Sequence, residues 1–506
     1  MSLELLQAAA SSNQWWAITP EIILAVGALL LLVAEIILPK DQHKFIPPLS
    51  VGLQAAALLA VALHFHTAWE GAASFAGLLR HSAAGQIARV FFLVSGLLTS
   101  FLATVCLPRV RLPRVEFYHI VMVITAAAML LAQSNHFVMF FVALETLTIG
   151  LYILVGYFRD NPLSLEAGLK YLVLGSLSSG LMLFGVVLLY GAVGGVPGPD
   201  GAVHTGFEFA TVAAYLEGHA DNFMAIIGVL LVLSGVAFKI GAFPFQVWIP
   251  DVYQGAPTPV TAFLAVASKG AGFAVLLTLV NNVFAPLQSL LVPVLSAMAA
   301  ATILYGNLSA LSQRNAKRLM GLSGVSHAGF LLIGVTASLT VPWAAGAVWF
   351  YLFVYLLASM AVFGVMAHVV GDDDADQELD TYDRLARDKP FLAAVLAVGL
   401  GSLAGIPPLA GFMGKLLVFL AAFEARLYWL LAFAVVGVVL SIYYYFGWIK
   451  AAFFESWRPT LVADEAPPAP RVTPTLAGVV ILAGLALATV ALGFFPGPLT
   501  SWLALK

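Results

Sequence analysis

The chain has 506 residues, of which 61% are hydrophobic and only 10% charged, with a net charge of −3 and a mean hydropathy of +0.97. A soluble domain carries about a quarter charged residues, and so few charges cannot furnish a water-facing shell. A cytosolic enzyme, a nucleic-acid binder and a disulfide scaffold are thereby excluded. Cys106, the single cysteine, can neither form an internal disulfide nor hold a metal alone. No CxxC, HExxH or Gly-rich phosphate loop marks a redox cofactor in this chain.

Apolar stretches near 20 residues recur along the whole sequence, each long enough to cross roughly 30 Å of hydrocarbon as a helix. They predict an all-α polytopic membrane protein with fourteen spans: 19–38, 48–67, 88–107, 116–133, 137–158, 166–191, 223–246, 257–280, 287–306, 318–338, 343–370, 390–420, 427–452 and 474–494. The first run lacks a basic leader, is too long for a signal peptide and carries Glu35 in its second half, so it reads as a span.

Basic residues orient this stack. With the N-terminus outside, the inner loops hold Lys40, Lys44, Arg109, Arg111, Arg114, Arg159, Arg314, Lys317, Arg318, Arg384, Arg387, Lys389, Lys450, Arg458 and Arg471. The opposite side holds only Arg80, Arg89, Arg426 and Lys506. This bias predicts that both termini face the periplasm or its equivalent. The loop 192–222 has no Lys or Arg but carries Asp200, Glu208, Glu217 and Asp221. The acidic stretch Asp372–Asp388 falls inside, which the rule permits because acidic residues weigh little in it.

Four basic residues remain within the spans: Lys170, Lys239, Lys269 and Lys415, joined there by Glu145 and His327. A charge at the bilayer centre costs about 2.5–3.5 kcal/mol on insertion scales, so such groups usually face a bundle interior or water. Lys170 lies near the start of its span, where snorkelling to the interface and function are both open. Glu145, Lys239, Lys269 and Lys415 lie deeper, where function is the better reading. His327 sits in SGVSHAGF, a small and polar setting that suits a hydrated cavity. Imidazole exchanges protons near neutral pH, although a membrane histidine can also be an ordinary hydrogen-bonded core residue.

Two spans carry breaks. The first reads FKIGAFPFQVWIPD, with Lys239, Gly241, Pro244 and Pro250; the second reads GSLAGIPPLAGFMGK, with Gly405, Pro407, Pro408, Gly411 and Lys415. Proline removes a backbone donor and clashes with the preceding turn, freeing carbonyls that lipid cannot satisfy. Proline kinks occur in many membrane helices, but a break with a lysine within two turns occurs here twice. The spans fall into two blocks, 116–280 (helices four to eight) and 287–455 (helices nine to thirteen), each broken in its fourth span. Three helices precede them within 1–115, and one follows at 474–494. An odd number of spans per block inverts the second block relative to the first and points to ion sites at the breaks.

FKIGAFPFQVWIPDVYQGAPTPVTAFLAVASKGAGF (238–273) closely resembles the signature of the antiporter-like subunits of respiratory complex I. Its variant DVYQGAPTPV is similar to that of the subunit N branch of the bacterial proton-translocating NADH-quinone oxidoreductases, whose mitochondrial counterpart is subunit 2. The L and M paralogues and the multisubunit sodium/proton antiporters typically have DAHxxAPTPV there. Residues 141–185, 310–334 and 402–419 resemble the same branch, and the likeness runs from about 20 to 495.

The resemblance implies that Glu145 on the fifth helix pairs with Lys239 on the broken seventh. It implies that Lys269 on the eighth continues a hydrophilic axis, that His327 is a polar position along it, and that Lys415 on the broken twelfth serves the second half-channel. Lys170 matches a lysine of this branch. The resemblance further implies a translocase subunit of the bacterial inner membrane without a redox centre, with flavin, iron–sulfur clusters and quinone held elsewhere in the complex. Its neighbours would be an M-type paralogue and small K- and J-type subunits. A sodium/proton antiporter or membrane-bound hydrogenase subunit, and a purely structural scaffold, are the competing readings.

Overall fold

The computed structural model describes residues 10–65, 71, 73–108, 115–195, 206–369, 374–375, 377–454 and 473–503. Arg109, Arg111, Arg114, Asp200, Asp372, Arg458, Arg471 and Lys506, used above for orientation, lie outside the described residues. Every predicted span contains helix among its described residues. The N-terminal group is α1 (Thr19–Ile37), α2 (Ile46–His64) and α3 (Ala83–Cys106), with a small hairpin of β1 (Ala73–Ser74) and β2 (Leu79–Arg80) before α3.

Next come α4 (Val115–Leu131), α5 (Phe137–Val155), α6 (Pro162–Val193), a short α7 (Phe209–Gly218), α8 (Phe223–Ile240) and α9 (Ile249–Gly255). The long α10 (Thr258–Val283) contains two π-helical turns, at Leu264–Ser268 and Leu279–Val283. The rest of the bundle is α11 (Gln288–Ala310), α12 (Ala316–Ser338), α13 (Ala344–Val369), α14 (Pro390–Ala404), α15 (Ala410–Glu424), α16 (Tyr428–Phe453) and α17 (Leu476–Phe494). Among the described residues twelve helical segments are long and apolar enough to span a bilayer, and Val115–Leu131 and Pro390–Ala404 are shorter apolar helices.

Both expected breaks are present and share one construction. α8 ends at Gly241, whose φ of +74° is left-handed, and α14 ends at Gly405, at +85°. Glycine is the residue that adopts this conformation without steric cost. At the first break the Ala242 amide donates back to Ala237 and that of Gly241 to Phe238; at the second, the Ile406 amide donates to Gly401 and that of Gly405 to Ser402. These reversed bonds satisfy carbonyls that would otherwise be orphaned in the membrane. The peptide bonds Phe243–Pro244 and Pro407–Pro408 are cis.

Without a strong hydrophobic drive between helices in lipid, close packing uses small residues. A Cβ on Gly185 of α6 would lie 2.7 Å from the Gly228 carbonyl of α8, and one on Gly306 of α11 would lie 2.5 Å from the Ser326 amide of α12. α12 is the innermost element, with every residue from Leu319 to Ala337 buried.

The loops expected on one side gather at one end, where Leu79 pairs with Ser134 and His136 with Glu208. Those expected on the other side meet at the opposite end, where Asn315 pairs with Glu378.

Two charges assigned to loops prove to be buried in helices, because the helices begin earlier than the apolar runs. Arg89 lies inside α3, fully buried, and its guanidinium binds both oxygens of Glu21 at 2.8 and 2.9 Å. Lys317 lies in the first turn of α12, also fully buried, 2.8 Å from Asp374 of the loop read as an acidic stretch.

Candidate functional site

Lys239 occupies the last turn of α8, just before the first break, and is 4% exposed. Its ammonium donates to Thr148 Oγ1 on α5 at 2.8 Å. Glu145, three residues earlier on α5, is half-buried and accepts from Ser179 Oγ of α6 at 2.6 Å. The expected Glu145–Lys239 pair is not in direct contact: Thr148, one turn along α5 from Glu145, receives Lys239. The break itself is braced by Trp248, whose indole donates to the Phe238 carbonyl at 3.3 Å.

Lys269 lies directly after the first π-helical turn of α10 and is 3% exposed. A Cβ on Gly272, one turn further, would sit 2.5 Å from Ile240, so α10 closely approaches α8 beside Lys239. The Lys269 ammonium donates to the Gly324 carbonyl of α12 and lies 5.3 Å from the centre of the Tyr355 ring. A Cβ on Gly324 would stand 2.9 Å from that ammonium, so a larger residue here would displace it.

His327, one turn further along α12, is held on both ring nitrogens: Nδ1 is 2.8 Å from the Tyr351 hydroxyl and Nε2 is 3.1 Å from that of Tyr445. The polar setting read from SGVSHAGF is a packed tyrosine cage. A second layer surrounds it, in which the Tyr444 hydroxyl donates to Asn307 at 3.1 Å and Asn307 donates to Ser326 at 2.8 Å.

Lys415, on α15 just after the second break, is 3% exposed and donates to the Leu403 and Ala404 carbonyls at 3.0 and 2.8 Å. Those are the last carbonyls of α14, the negative end of a helix dipole. The Phe330 ring of α12 lies 5.1 Å from the same ammonium, within cation–π range.

Among the described residues none of Lys239, Lys269 and Lys415 forms an ion pair. Each ammonium meets only neutral oxygens, and one or two of them where it could donate three bonds. Such a group is held in place without being fixed in one charge state, which suits passing a proton on.

Lys170 is not brought into this row. Its side chain is 42% exposed, and it bridges Glu166 at 2.6 Å and Asp251 of α9 at 2.7 Å; Asp251 also binds Arg318 at 2.8 Å. Pro244, Pro407 and Pro408 lie in the two breaks as expected. Sequence reasoning passed over Thr148, Ser179, Gly324, Tyr351 and Tyr445, since hydroxyl residues and glycines are common in membrane helices and nothing local singles these out. Among the described residues no group of three or more His, Cys, Asp and Glu comes together to hold a metal ion.

A helical membrane bundle with two glycine-ended breaks, each with a buried lysine beside it, and a buried histidine helix defines an antiporter-type subunit. Residues 134–441 match the NADH:quinone oxidoreductase/Mrp antiporter transmembrane family. NADH-quinone oxidoreductase subunit N 1 of Opitutus terrae is 63% identical over 505 residues, covering 99% of each chain. Subunit N of Geobacillus kaustophilus is 37% identical, over 96% of this chain and 95% of that one. A chain of respiratory complex I from Thermus thermophilus, solved with bound aureothin, superposes with a TM-score of 0.77 at 31% identity, covering 96% of this chain and 100% of that one. The chain belongs to the NADH-quinone oxidoreductase subunit N family.

Proposed function

We propose that this chain translocates protons as an antiporter-like membrane subunit of a NADH-quinone oxidoreductase, with Glu145, Lys239, Lys269, His327 and Lys415 carrying them. The observation that carries this reading is the row itself: three buried lysines without ion pairs, with a histidine held by two tyrosines between the second and third. Burial disfavours a charged lysine, and a nearby carboxylate restores it. When Glu145 moves off or is neutralised, Lys239 gives up its Nζ proton toward Lys269. From Lys269 the path runs beside α12 past His327 to Lys415. The groups titrate as a network rather than singly. Each proton moved against 100 mV requires roughly 2.3 kcal/mol, supplied by quinone reduction elsewhere in the assembly.

The donor set does not fit an iron–sulfur cluster, which needs about four thiolates, because this chain has one cysteine, and that cysteine is buried. Iron–sulfur clusters therefore belong to other subunits, and we assign flavin and quinone to those subunits as well. The matching construction of the two breaks supports inverted repeats at 116–280 and 287–455. The partners are an M-type paralogue and K- and J-type subunits, and the membrane is the bacterial inner membrane, with both termini outside. Lys170 serves at the mouth of the first half-channel through its ion pairs rather than within the buried row.

The test is Lys239→Ala in the assembled complex, read as protons moved per NADH oxidised. A severe loss of proton yield is expected. Parent stoichiometry in a normally assembled variant would overturn the reading.

A further inference from the structure

Asp374 lies in the loop between α13 and α14, far in sequence from the lysine row, yet it is 4% exposed. Its Oδ2 accepts from the Thr258 amide at 2.6 Å and its Oδ1 from the Thr258 hydroxyl at 2.7 Å. Lys317 Nζ reaches Asp374 Oδ2 at 2.8 Å and also donates to the Ala256 carbonyl at 2.7 Å. Gln377 bonds both Asp374 and Thr258, and Tyr382 holds Gln377 in turn at 2.9 Å. The loop is stitched to α12 by its backbone as well: the Ala316 amide donates to Gln377 at 2.7 Å and that of Leu379 to Arg314 at 2.8 Å.

An acidic group at a helix N-terminus is favourable wherever it comes from. Capping alone does not explain this arrangement, because a nearby Ser, Asn or Asp caps a helix without burying a second charge. A buried ion pair contributes little net stability against an apolar pair of similar size, and its best-attested use is to fix register. The register fixed here is specific. Thr258 begins the helix that bears Lys269, and Lys317 begins the helix that bears Gly324 and His327. Gly324 follows Lys317 by seven residues, about 10 Å along α12.

We propose that Asp374 is a positioning residue for Lys269: by gripping Thr258 of α10 and Lys317 of α12 together, it sets how the two helices meet, and hence the contact of Lys269 with the Gly324 carbonyl. The inference rests on Lys269 being a proton carrier. It assigns Asp374 no proton of its own. The carboxylate, held between Lys317 and Thr258, acts through geometry.

The test uses the assembled complex in its membrane, with protons per electron as the readout, since a merely structural role changes the amount of complex and not that ratio. Asp374→Asn leaves the Lys317 charge buried without its counter-ion and lowers assembly. Asp374→Asn with Lys317→Gln restores a neutral hydrogen-bonding pair and assembly. In that double variant the proton yield per electron falls roughly threefold or more. Gly324→Ala, which pushes directly on the Lys269 ammonium, lowers it as well. Combining all three changes gives no further loss, because groups acting through one contact are not additive.

Independent, multiplying losses would overturn the proposal, as would a double variant with the parent yield while Lys269→Ala fails to pump. A Lys269→Ala complex that pumps normally would instead overturn the proton-carrier reading itself, so the two failures are distinguishable.

Discussion

The two broken helices are built alike and stabilise their lysines differently. At the first break Lys239 precedes the left-handed glycine, donates to a hydroxyl and has a half-buried carboxylate nearby. At the second, Lys415 follows the break and folds back onto the terminal carbonyls of the helix it has left. One lysine lies near a carboxylate, the other sits on the terminal carbonyls of a helix. A carboxylate can be withdrawn or protonated, whereas a helix terminus cannot be switched off without unwinding it. On the proposed proton path, control would enter at the first break, and the fixed dipole at the second would receive what is passed on.

The sharpest way to break this comparison is to remove the switch. Glu145→Gln is expected to cut proton yield roughly tenfold or more, the scale on which a positioned acid or base acts, with assembly intact; proton pumping per NADH is the measurement. A yield near the parent's would show that the halves are governed alike.

The glycines provide the next contrast. Gly405→Ala incurs about 1–2 kcal/mol for the left-handed backbone alone, and its Cβ would lie 2.8 Å from Lys415 Cδ. Gly241→Ala has the same backbone cost, but its Cβ would meet Ile249 at 2.3 Å and not the lysine. Thermal stability of the complex should fall in both, with proton yield per assembled complex falling further in Gly405→Ala.

A smaller effect is expected from Thr148→Val, which deprives the Lys239 ammonium of its acceptor at about 1–3 kcal/mol; Thr148→Ser should recover the pumping lost. The smallest is Tyr445→Phe, which removes one of two hydrogen bonds to His327, worth about 1 kcal/mol. Pumping should weaken slightly there, and more in the Tyr351→Phe/Tyr445→Phe pair.

Hydrocarbon imposes one length on every span, so the fourteen helices could be read from apolar runs alone, and the Gly-Pro clusters at 241–250 and 405–411 announced both breaks. Lys239, Lys269 and Lys415 stood out because nothing else charged lies near them in sequence. The same rule misplaced Arg89 and Lys317. Both sit within the first two turns of a helix, where a charge reads as loop, and the partners that bury them, Glu21 and Asp374, are 68 and 57 residues away. Lys170 shows the converse: Asp251, its partner across 81 residues, holds it at the bundle's flank. Thr148, Tyr351 and Tyr445 gave no local signal, since their value lies in which neighbouring helix they face. Tertiary pairing, not composition, decides that.

Because α12 is surrounded along almost its whole length, it behaves as an axle shared by both halves. Lys317 and Arg318 key its end into carboxylates from two different parts of the chain, Asp374 and Asp251. A one-residue slip would turn its side chains by about 100°, taking His327 out from between its tyrosines and unseating both keys together. Any rearrangement that leaves these contacts intact would therefore have to occur around α12, in the helices that bear the lysines.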